Sequence, residues 1–307
     1  SWSGVCADAA QVRVETSGLS TYELTLVPRL WLLGHRRNHR LFQHLSIPDI
    51  VDRLLAPWNI QPDWHIARDR YPVVPLRVQH GETDLTFFCR LLEEAGITFR
   101  FADDLVGDSR LELHDAPQAV APRALGPLPF VDDATLVQSA ESGYGTRVRI
   151  GHGVRQGRRT LRDFDFRRPR FTPTGSSSLG ASPEDVLEHY EYRQAASLVD
   201  EQDPSKADGP GALPTPAGDD QGASRHDDAV LAARAERELL AHRGSRRTVS
   251  YHGNAFDLAP GTVFAFADHP RSDLAPTRSL LVTHATLSGS TSEEWTLEGR
   301  AVFTDIP

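Results

Sequence analysis

Histidine is the most chemically versatile side chain in this sequence, and the spacing of histidines can indicate a metal site. None of the 13 histidines occurs in the H-E-x-x-H pattern of a zinc-binding helix. His252, His269 and His284 lie in strand-like sequence, where only folding could bring them to one ion. We interpret them as surface or hydrogen-bonded histidines, and the sequence predicts no metal site.

The sequence gives equally little support for a catalytic nucleophile or for a pair of catalytic carboxylates. No G-x-S-x-G turn is present, and neither Cys6 nor Cys89 has neighbours that would activate a thiol. Glu93 and Glu94 are adjacent on a predicted helix, so their side chains diverge by about 100° and cannot serve one substrate as acid and base. The run "GHGVRQG" at 151–157 lacks phosphate-loop spacing, and no helix pattern follows it. The sequence therefore predicts neither catalytic nor cofactor-binding residues.

Positive charge is concentrated in one stretch. Residues 147–170 hold nine of the 32 arginines, with only Asp163 and Asp165 as acids among them. An exposed strand face or an interface rim fits this stretch better than a phosphate site, and the net charge of −9 argues against a nucleic-acid partner.

Length and composition indicate a globular protein. Its 307 residues allow two domains of the usual size of about 100–200 residues. No stretch approaches the roughly 18 uninterrupted apolar residues that cross a bilayer, and the N-terminus does not have the pattern of a secretion signal. We expect Cys6 and Cys89 to be buried thiols, because Cys89 shares a predicted helical stripe with Phe88 and Leu92. The absence of methionine leads us to expect a piece of a longer protein.

Two helices and a hairpin are predicted in the first third, after a segment at 20–33 that reads as a strand passing into a buried turn or short helix. Ser46 can cap a helix whose first turn contains Pro48. Thr83 is the expected cap of a second helix, which Gly96 ends. The apolar stripe of this second helix is predicted to be Leu85, Phe88, Leu92 and Ala95. Alternation at 97–101, followed by "RLELHD", predicts a hairpin.

The rest of the chain reads as strands around one helix. Short strands are predicted at "ATLVQSA", "TRVRIGHGV" and "RTLRDFDF", as in a barrel or sandwich. Residues 197–228 are rich in Pro, Gly, Asp and Ala, which favours a flexible linker or long surface loop. A helix is predicted at 227–244 with Gly244 as its stop, and four or five strands follow it. The fold class predicted is therefore α+β and β-rich.

The order of several motif residues is more specific than any single one. They are Pro28, Leu30, Trp31 and Leu33, then Arg40, Phe42, Gln43, Ser46, Ile47 and Ile50, then Gln79, Glu82, Asp84, Phe88, Arg90, Leu91, Glu94 and Gly96. On these residues the chain resembles the VgrG family, the spike-tip components of type VI secretion systems, whose N-terminal region is similar to the baseplate hub of contractile phage tails. "LAPGTVFAFADHP" and "SLLVTHATL" resemble later hub strands, and "VFTDIP" resembles the junction with an OB-fold.

The resemblance implies two related barrel-like domains with inserted helices, in a hub truncated at both ends. The expected segments are the strands of a truncated first barrel (1–33), a helix-and-hairpin segment (34–127), second barrel-like strands (128–196), a linker or loop (197–228), and a helix with closing strands (229–307) that lead to an absent OB-fold and spike.

The resemblance also implies a structural role without enzymatic activity or cofactor. The expected partners are two further copies in a full-length homotrimer, a hexameric Hcp tube, a C-terminal spike with its tip protein, baseplate components and effector proteins, but no nucleic acid. Assembly in the bacterial cytoplasm without a signal peptide would precede ejection to the outside or into target cells. The hub of a phage tail or of an extracellular contractile device remains an alternative, as does a cell-wall hydrolase.

The resemblance leads us to expect an interface role for the basic stretch at 147–170. We expect some of its arginines to face a neighbouring subunit or the tube, with linker acids such as Asp219 and Asp220 as counter-charges. The arginines concerned are Arg147, Arg149, Arg155, Arg158 and Arg159.

Overall fold

The computed structural model describes residues 3–14, 16, 18, 20–102, 109–132, 143–165, 169–201, 223–291 and 293–305. The chain divides into two compact units. Unit 1 comprises residues 1–115 and 198–226, and unit 2 comprises residues 116–197 and 227–307.

Strands make up most of the regular structure, which confirms the predicted β-rich α+β class. The strands are β1 (Val5–Val14), β2 (Ser20–Val27), β3 (Arg37–Leu45), β4 (Asp63–His65), β5 (Val74–Thr83), β6 (Thr98–Ala102), β7 (Arg110–His114), β8 (Leu128–Pro129), β9 (Gly145–His152), β10 (Arg158–Arg162), β11 (Thr174–Ser176), β12 (Glu188–Tyr192), β13 (Leu198–Glu201), β14 (Ala223–His226), β15 (Arg247–Gly253), β16 (Val263–Phe264), β17 (Phe266–Ala267), β18 (Leu280–Ser290) and β19 (Glu293–Phe303). The α-helices are α1 (Ile47–Leu55), α2 (Asp84–Ala95) and α3 (Asp228–Gly244). Short 3₁₀ helices are Arg29–His35, Ala56–Trp58, Arg68–Arg70, Pro117–Ala119, Glu184–Val186 and Ser272–Leu274.

Unit 1 is built from small sheets around two helices. β1 pairs with β2 and β3 with β5, both antiparallel. A three-stranded sheet has the order β4-β7-β6, in which β4 is parallel to β7 and β6 is antiparallel to it. The expected hairpin after α2 is therefore present as β6 and β7.

Local capping chemistry defines both helices of unit 1, as predicted. The Ser46 hydroxyl accepts the backbone N–H of Asp49, and the Thr83 hydroxyl accepts that of Thr86. Gly96 ends α2 at φ +70°, in the left-handed region that glycine occupies without strain. Apolar faces of both helices enter one core.

The buried face of α2 contains the predicted stripe and is wider than it, since Phe88, Leu92 and Ala95 are buried. Phe87 and Leu91 are fully buried, whereas Cys89 is exposed. Cys6 is exposed as well, so the expectation of two buried thiols was wrong. Phe87 and Phe88 are both 0% exposed, so the apolar face of α2 spans two adjacent stripes of the 3.6-residue period, and Cys89 lies outside it.

Unit 2 centres on a five-stranded half-barrel sheet of order β16-β18-β19-β15-β9. Tyr251, Phe264 and Phe266 form the aromatic part of its core. A second sheet has the order β11-β10-β12, and Leu161 of β10 packs in a buried cluster with Leu231 of α3.

The predicted segments of the second half have distinct outcomes. "TRVRIGHGV" and "RTLRDFDF" overlap β9 and β10, while "ATLVQSA" lies outside the described residues. The helix at 227–244 is present as α3, although Gly244 is its last residue and not the stop beyond it. The ends of the 197–228 segment are paired strands, β13 and β14.

Candidate functional site

Two motif residues, Arg40 and Gln79, converge on a third, Asp84, which begins α2 and is completely buried. Its Oδ1 accepts Arg40 Nη2 at 2.5 Å and Gln79 Nε2 at 2.9 Å. Its Oδ2 accepts Arg36 Nε at 2.6 Å and Trp58 Nε1 at 3.3 Å. An unpaired buried carboxylate would be strongly unfavourable, and these four donors compensate for its lost hydration. Asp84 therefore ties α2 to β3 and β5.

Gln79 is the second buried member of this network. Its Nε2 also donates to the backbone carbonyl of Glu82 at 3.0 Å, and its Oε1 accepts Arg40 Nε at 2.8 Å. The amide is thus used at both ends, as a buried polar group must be. The Q-x-x-E-T-D spacing fixes the turn from β5 into α2.

Two ion pairs hold α2 along β5. Arg90 donates to Glu82 at 2.6 Å and to the carbonyl of Val78 at 2.9 Å. Arg77 donates to Glu94 at 2.5 Å. Glu94 is therefore committed to an ion pair and is not available as one half of an acid–base pair.

The apolar motif residues belong to the core of unit 1. Phe42 stacks on Phe87 with ring centroids 5.5 Å apart. Ile47, Ile50, Phe88 and Leu91 are buried in the same core. Trp31, which follows Pro28 in the first 3₁₀ helix, and Gln43 of β3 are exposed. Most of the motif therefore builds the scaffold of unit 1.

The five arginines predicted at an interface occupy different environments in unit 2. Arg147, Arg149 and Arg158 are exposed. Arg155 is half-buried and donates to Ser245 at 2.9 Å. Arg159 is 3% exposed, so it does not face solvent. Asp219 and Asp220 lie outside the described residues.

Arg159 pairs within its own unit. It donates to Glu191 of β12 and, at 2.9 Å, to Glu238 of α3. Arg193 bonds to both carboxylates. Burial alone would raise the pKa of Glu238, but hydrogen bonds and nearby arginine charges outweigh it and hold this pKa below its usual value. The cluster joins β10 and β12 to α3.

The β1–β2 hairpin exposes large apolar side chains. Leu24 is 60% exposed, and Val12, Val14, Tyr22 and Leu26 are exposed to a similar degree. A two-stranded hairpin without a covering layer has little stability of its own. Contiguous exposed apolar surface is typical of interaction sites.

One group of side chains in unit 1 has the chemistry of a metal site. The ligand atoms of His65, Glu112 and His114 lie within 4.8 Å of one another. His114 Nε2 is 3.2 Å from Glu112 Oε2, which also accepts Arg100 Nε at 2.6 Å. Burial lowers the pKa of His114, the hydrogen bond to Glu112 opposes this, and the nearby His65 and Arg100 add to the lowering.

The sequence predicts no metal site, and these three residues are not among its candidate ligands. Alternation in "RLELHD" places Glu112 and His114 on one face of a strand, and that part of the signal was available. His65 joins them only through the parallel pairing of β4 with β7, which is a long-range relation. The histidines considered first, His252, His269 and His284, are not grouped with a third ligand among the described residues.

A cavity of about 220 Å³ also lies in unit 1, between the start of β1 and the β6–β7 hairpin. It is smaller than the pockets of about 300–1,000 Å³ that hold drug-sized ligands. Its lining includes Phe101 and Leu111 with the polar groups of Ser109 and Arg110.

None of the helices in the described part of the chain has the length and apolar character of a membrane span.

Comparison with known proteins gives one family and a consistent set of relatives. Residues 1–293 match the family described as phage tail baseplate hub (GPD). The type VI secretion system spike protein VgrG4b of Pseudomonas aeruginosa is 32% identical over 259 residues, which cover 83% of this chain and 28% of that protein. The spike protein VgrG5 of the same organism is 34% identical over 57% of this chain and 22% of its own length. The chain thus spans about a quarter of these relatives.

Solved structures share the fold at low identity. An Escherichia coli component of the type VI secretion system, described as similar to the T4 bacteriophage tail proteins gp27 and gp5, has a TM-score of 0.59 at 16% identity and covers 98% of this chain and 60% of its own. A tail protein from Neisseria meningitidis MC58 has a TM-score of 0.62 at 12% identity, and the match covers 99% of this chain and 81% of the tail protein.

Proposed function

The chain belongs to the phage tail baseplate hub (GPD) family, and from that premise we propose that it is the hub of a type VI secretion spike, which matches a hexameric tube to a trimeric spike and helps to deliver effectors into target cells. The observation that carries this proposal is the family match over residues 1–293, together with relatives named as type VI spike proteins. The whole protein's assembly is inferred, because the chain spans about a quarter of those relatives.

The structural features fit a role performed by surfaces. The motif residues form a buried polar network and a core, so they stabilise a scaffold. Symmetry matching requires complementary surfaces and no catalytic group. We propose that the activity of this chain is structural and not enzymatic.

The exposed apolar hairpin is the surface we assign to contact between subunits of a homotrimer. Leu24 and its neighbours on β1 and β2 would be covered by a second copy of the chain, since apolar area of this kind is stabilised by burial. Arg147, Arg149 and Arg158 are exposed and remain candidates for contact with a neighbouring subunit or with the Hcp tube. Arg155 is half-buried and donates to Ser245, so we expect it to contribute less to such a contact.

The route through the cell follows from the same proposal. The hub would assemble in the bacterial cytoplasm with its spike, tip protein, baseplate components and effectors, and would leave the cell when the machine contracts. No signal peptide or nucleic-acid partner is required by this role.

Solution mass and ring binding test the proposal. We would measure the molar mass by light scattering for this chain alone and for the chain joined to the downstream part of VgrG4b, and then measure binding of each to hexameric Hcp rings. A trimer of the joined protein that binds rings is the expected result. A monomer in both forms, without ring binding, would contradict the proposal.

A phage-tail origin is the alternative within the same family, whose description names the phage baseplate hub. Binding to a phage tail-tube ring in preference to an Hcp ring would favour it. A cell-wall hydrolase is a further alternative from another class, and clearing of a peptidoglycan suspension by the purified chain would support it.

A further inference from the structure

We propose that His65, Glu112 and His114 bind a divalent transition-metal ion, with Zn²⁺ as the ion best suited to the donors, and that the ion clamps β4 to β7. Two imidazoles and a carboxylate suit zinc and its first-row neighbours, whereas calcium and magnesium prefer sites built wholly of oxygen ligands.

The sheet register places all three donors on one face. His65 is the direct partner of His114 in the parallel pairing of β4 with β7. Glu112 lies two residues before His114, so their side chains point to the same side of the strand. Leu111 and Leu113, on the other side, are buried in the core of unit 1. The donor face therefore lies opposite the core.

The distances require one small adjustment. Ligands bound at about 2.0–2.2 Å around a tetrahedral ion are roughly 3.3–3.6 Å apart. His114 Nε2 and Glu112 Oε2, at 3.2 Å, are close to this separation and need to move apart by only about 0.1 Å. The His65 ring stacks on that of His114 with centroids 4.5 Å apart and an interplanar angle of 8°. Because His65 is exposed, its ring can turn toward the carboxylate and close the remaining gap of about one ångström.

Arg100 provides the outer support that metal-bound carboxylates usually have. It lies opposite Glu112 in the β6–β7 pairing and donates to Glu112 at 2.6 Å. Such outer hydrogen bonds orient a ligand. The positive charge of Arg100 also reduces the affinity for a dication, so we expect moderate binding at the site.

The clamp would act on the shortest strand of its sheet. β4 has three residues, and Asp63 to His65 join a strand about 50 positions later in the chain. A metal that binds the folded sheet and not the unfolded chain stabilises the folded state by mass action. The ion would therefore fix a long-range pairing that local sequence does not specify.

Zinc titration of the purified chain by calorimetry tests this proposal, with His65→Ala as the main variant. His65 is exposed, so this substitution leaves the core intact. We expect one zinc site per chain, a rise in melting temperature with zinc, and a loss of affinity of at least about 100-fold in H65A and in E112Q. Cobalt should give the absorption bands of a nitrogen- and oxygen-ligated ion in the parent chain and not in H65A.

His252→Ala is the matched control, because His252 also lies on a strand and is 3.7 Å from a glutamate, Glu298, but has no third ligand among the described residues. Its zinc affinity should equal that of the parent chain. Unchanged zinc affinity in H65A and E112Q would overturn the proposal and leave Arg100, Glu112 and His114 as an ion-pair cluster only. Equal losses in H252A and H65A would overturn it too.

Discussion

The buried carboxylate of Asp84 accepts a hydrogen bond from the side-chain amide of Gln79 at 2.9 Å. Both residues are 0% exposed, and both belong to the ordered motif that gives the chain its family resemblance. The polar part of the motif is therefore a connected network. Removal of Asp84 would leave Arg36 and Arg40 without their carboxylate.

Asp84→Asn should destabilise unit 1 by about 3 kcal/mol, because it removes the charge that compensates Arg36 and Arg40. The measurement is the free energy of unfolding from urea denaturation. Asp63→Asn is the control, since Asp63 pairs with Arg110 at the surface with both side chains about half exposed. That pair should contribute less than about 1 kcal/mol. Equal effects of the two substitutions would contradict a buried anchor at Asp84.

Asp163 makes a pH-dependent contribution to unit 2. Burial alone would raise its pKa, but the backbone N–H groups of Phe164, Ala195 and Ser197, and the hydroxyl of Ser197, donate to the carboxylate and lower the pKa below the ordinary value of 3.8. A lowered folded-state pKa stabilises the fold fully above the unfolded value, and this stabilisation is lost as pH falls through the folded value.

Asp163→Asn should therefore be less stable than the parent chain at neutral pH, by about 1–3 kcal/mol. The difference between the two proteins should begin to shrink below about pH 4, where the carboxyl of the unfolded parent chain becomes protonated, and should shrink further as pH falls through the lower pKa of the folded state. Urea midpoints between pH 7 and pH 3 measure both effects. A difference that is constant across this range would show that the charge of Asp163 does not contribute.

Short-range chemistry explains what the sequence could predict. Ser46, Thr83 and Gly96 act within one helical turn of their own positions, so the ends of α1 and α2 follow from local residues. The β6–β7 hairpin is likewise local. The full width of the buried α2 face is not local, since packing in the core of unit 1 buries Phe87 and Leu91 beside the predicted stripe and leaves Cys89 exposed.

Pairings between distant segments account for what the sequence could not predict. His65 meets His114 through a parallel pairing across about 50 residues, and no local pattern specifies that partner. Arg159 looked like its neighbour Arg158, yet alternation along β10 turns it toward α3. The sequence predicts where the charged stretch lies, but packing decides that Arg159 is buried while Arg158 is exposed.

Leu24→Asp should weaken the proposed trimer by about tenfold or more, because it places a charge in an apolar contact between subunits. Leu179→Asp is the control, since Leu179 is 62% exposed compared with 60% for Leu24 but lies in unit 2. Light scattering over a dilution series of the joined protein measures the effect. If both substitutions leave the trimer unchanged, the hairpin is not a subunit contact.

Charge reversal at Arg158 should weaken ring binding, whereas charge reversal at Arg159 should lower the stability of unit 2. Arg158 is exposed and lies 3.8 Å from Glu188, so R158E should change stability by about 0.5 kcal/mol or less and weaken ring binding most at low salt. Arg159 is buried between Glu191 and Glu238, so R159E should destabilise unit 2 by at least about 3–5 kcal/mol. R271E is the surface control, because Arg271 is exposed and lies outside the basic stretch. Urea unfolding and ring binding at two salt concentrations separate the outcomes. Ring binding by R158E that equals that of R271E at low salt would remove Arg158 from the interface, whereas a stable R159E would contradict the buried pairing.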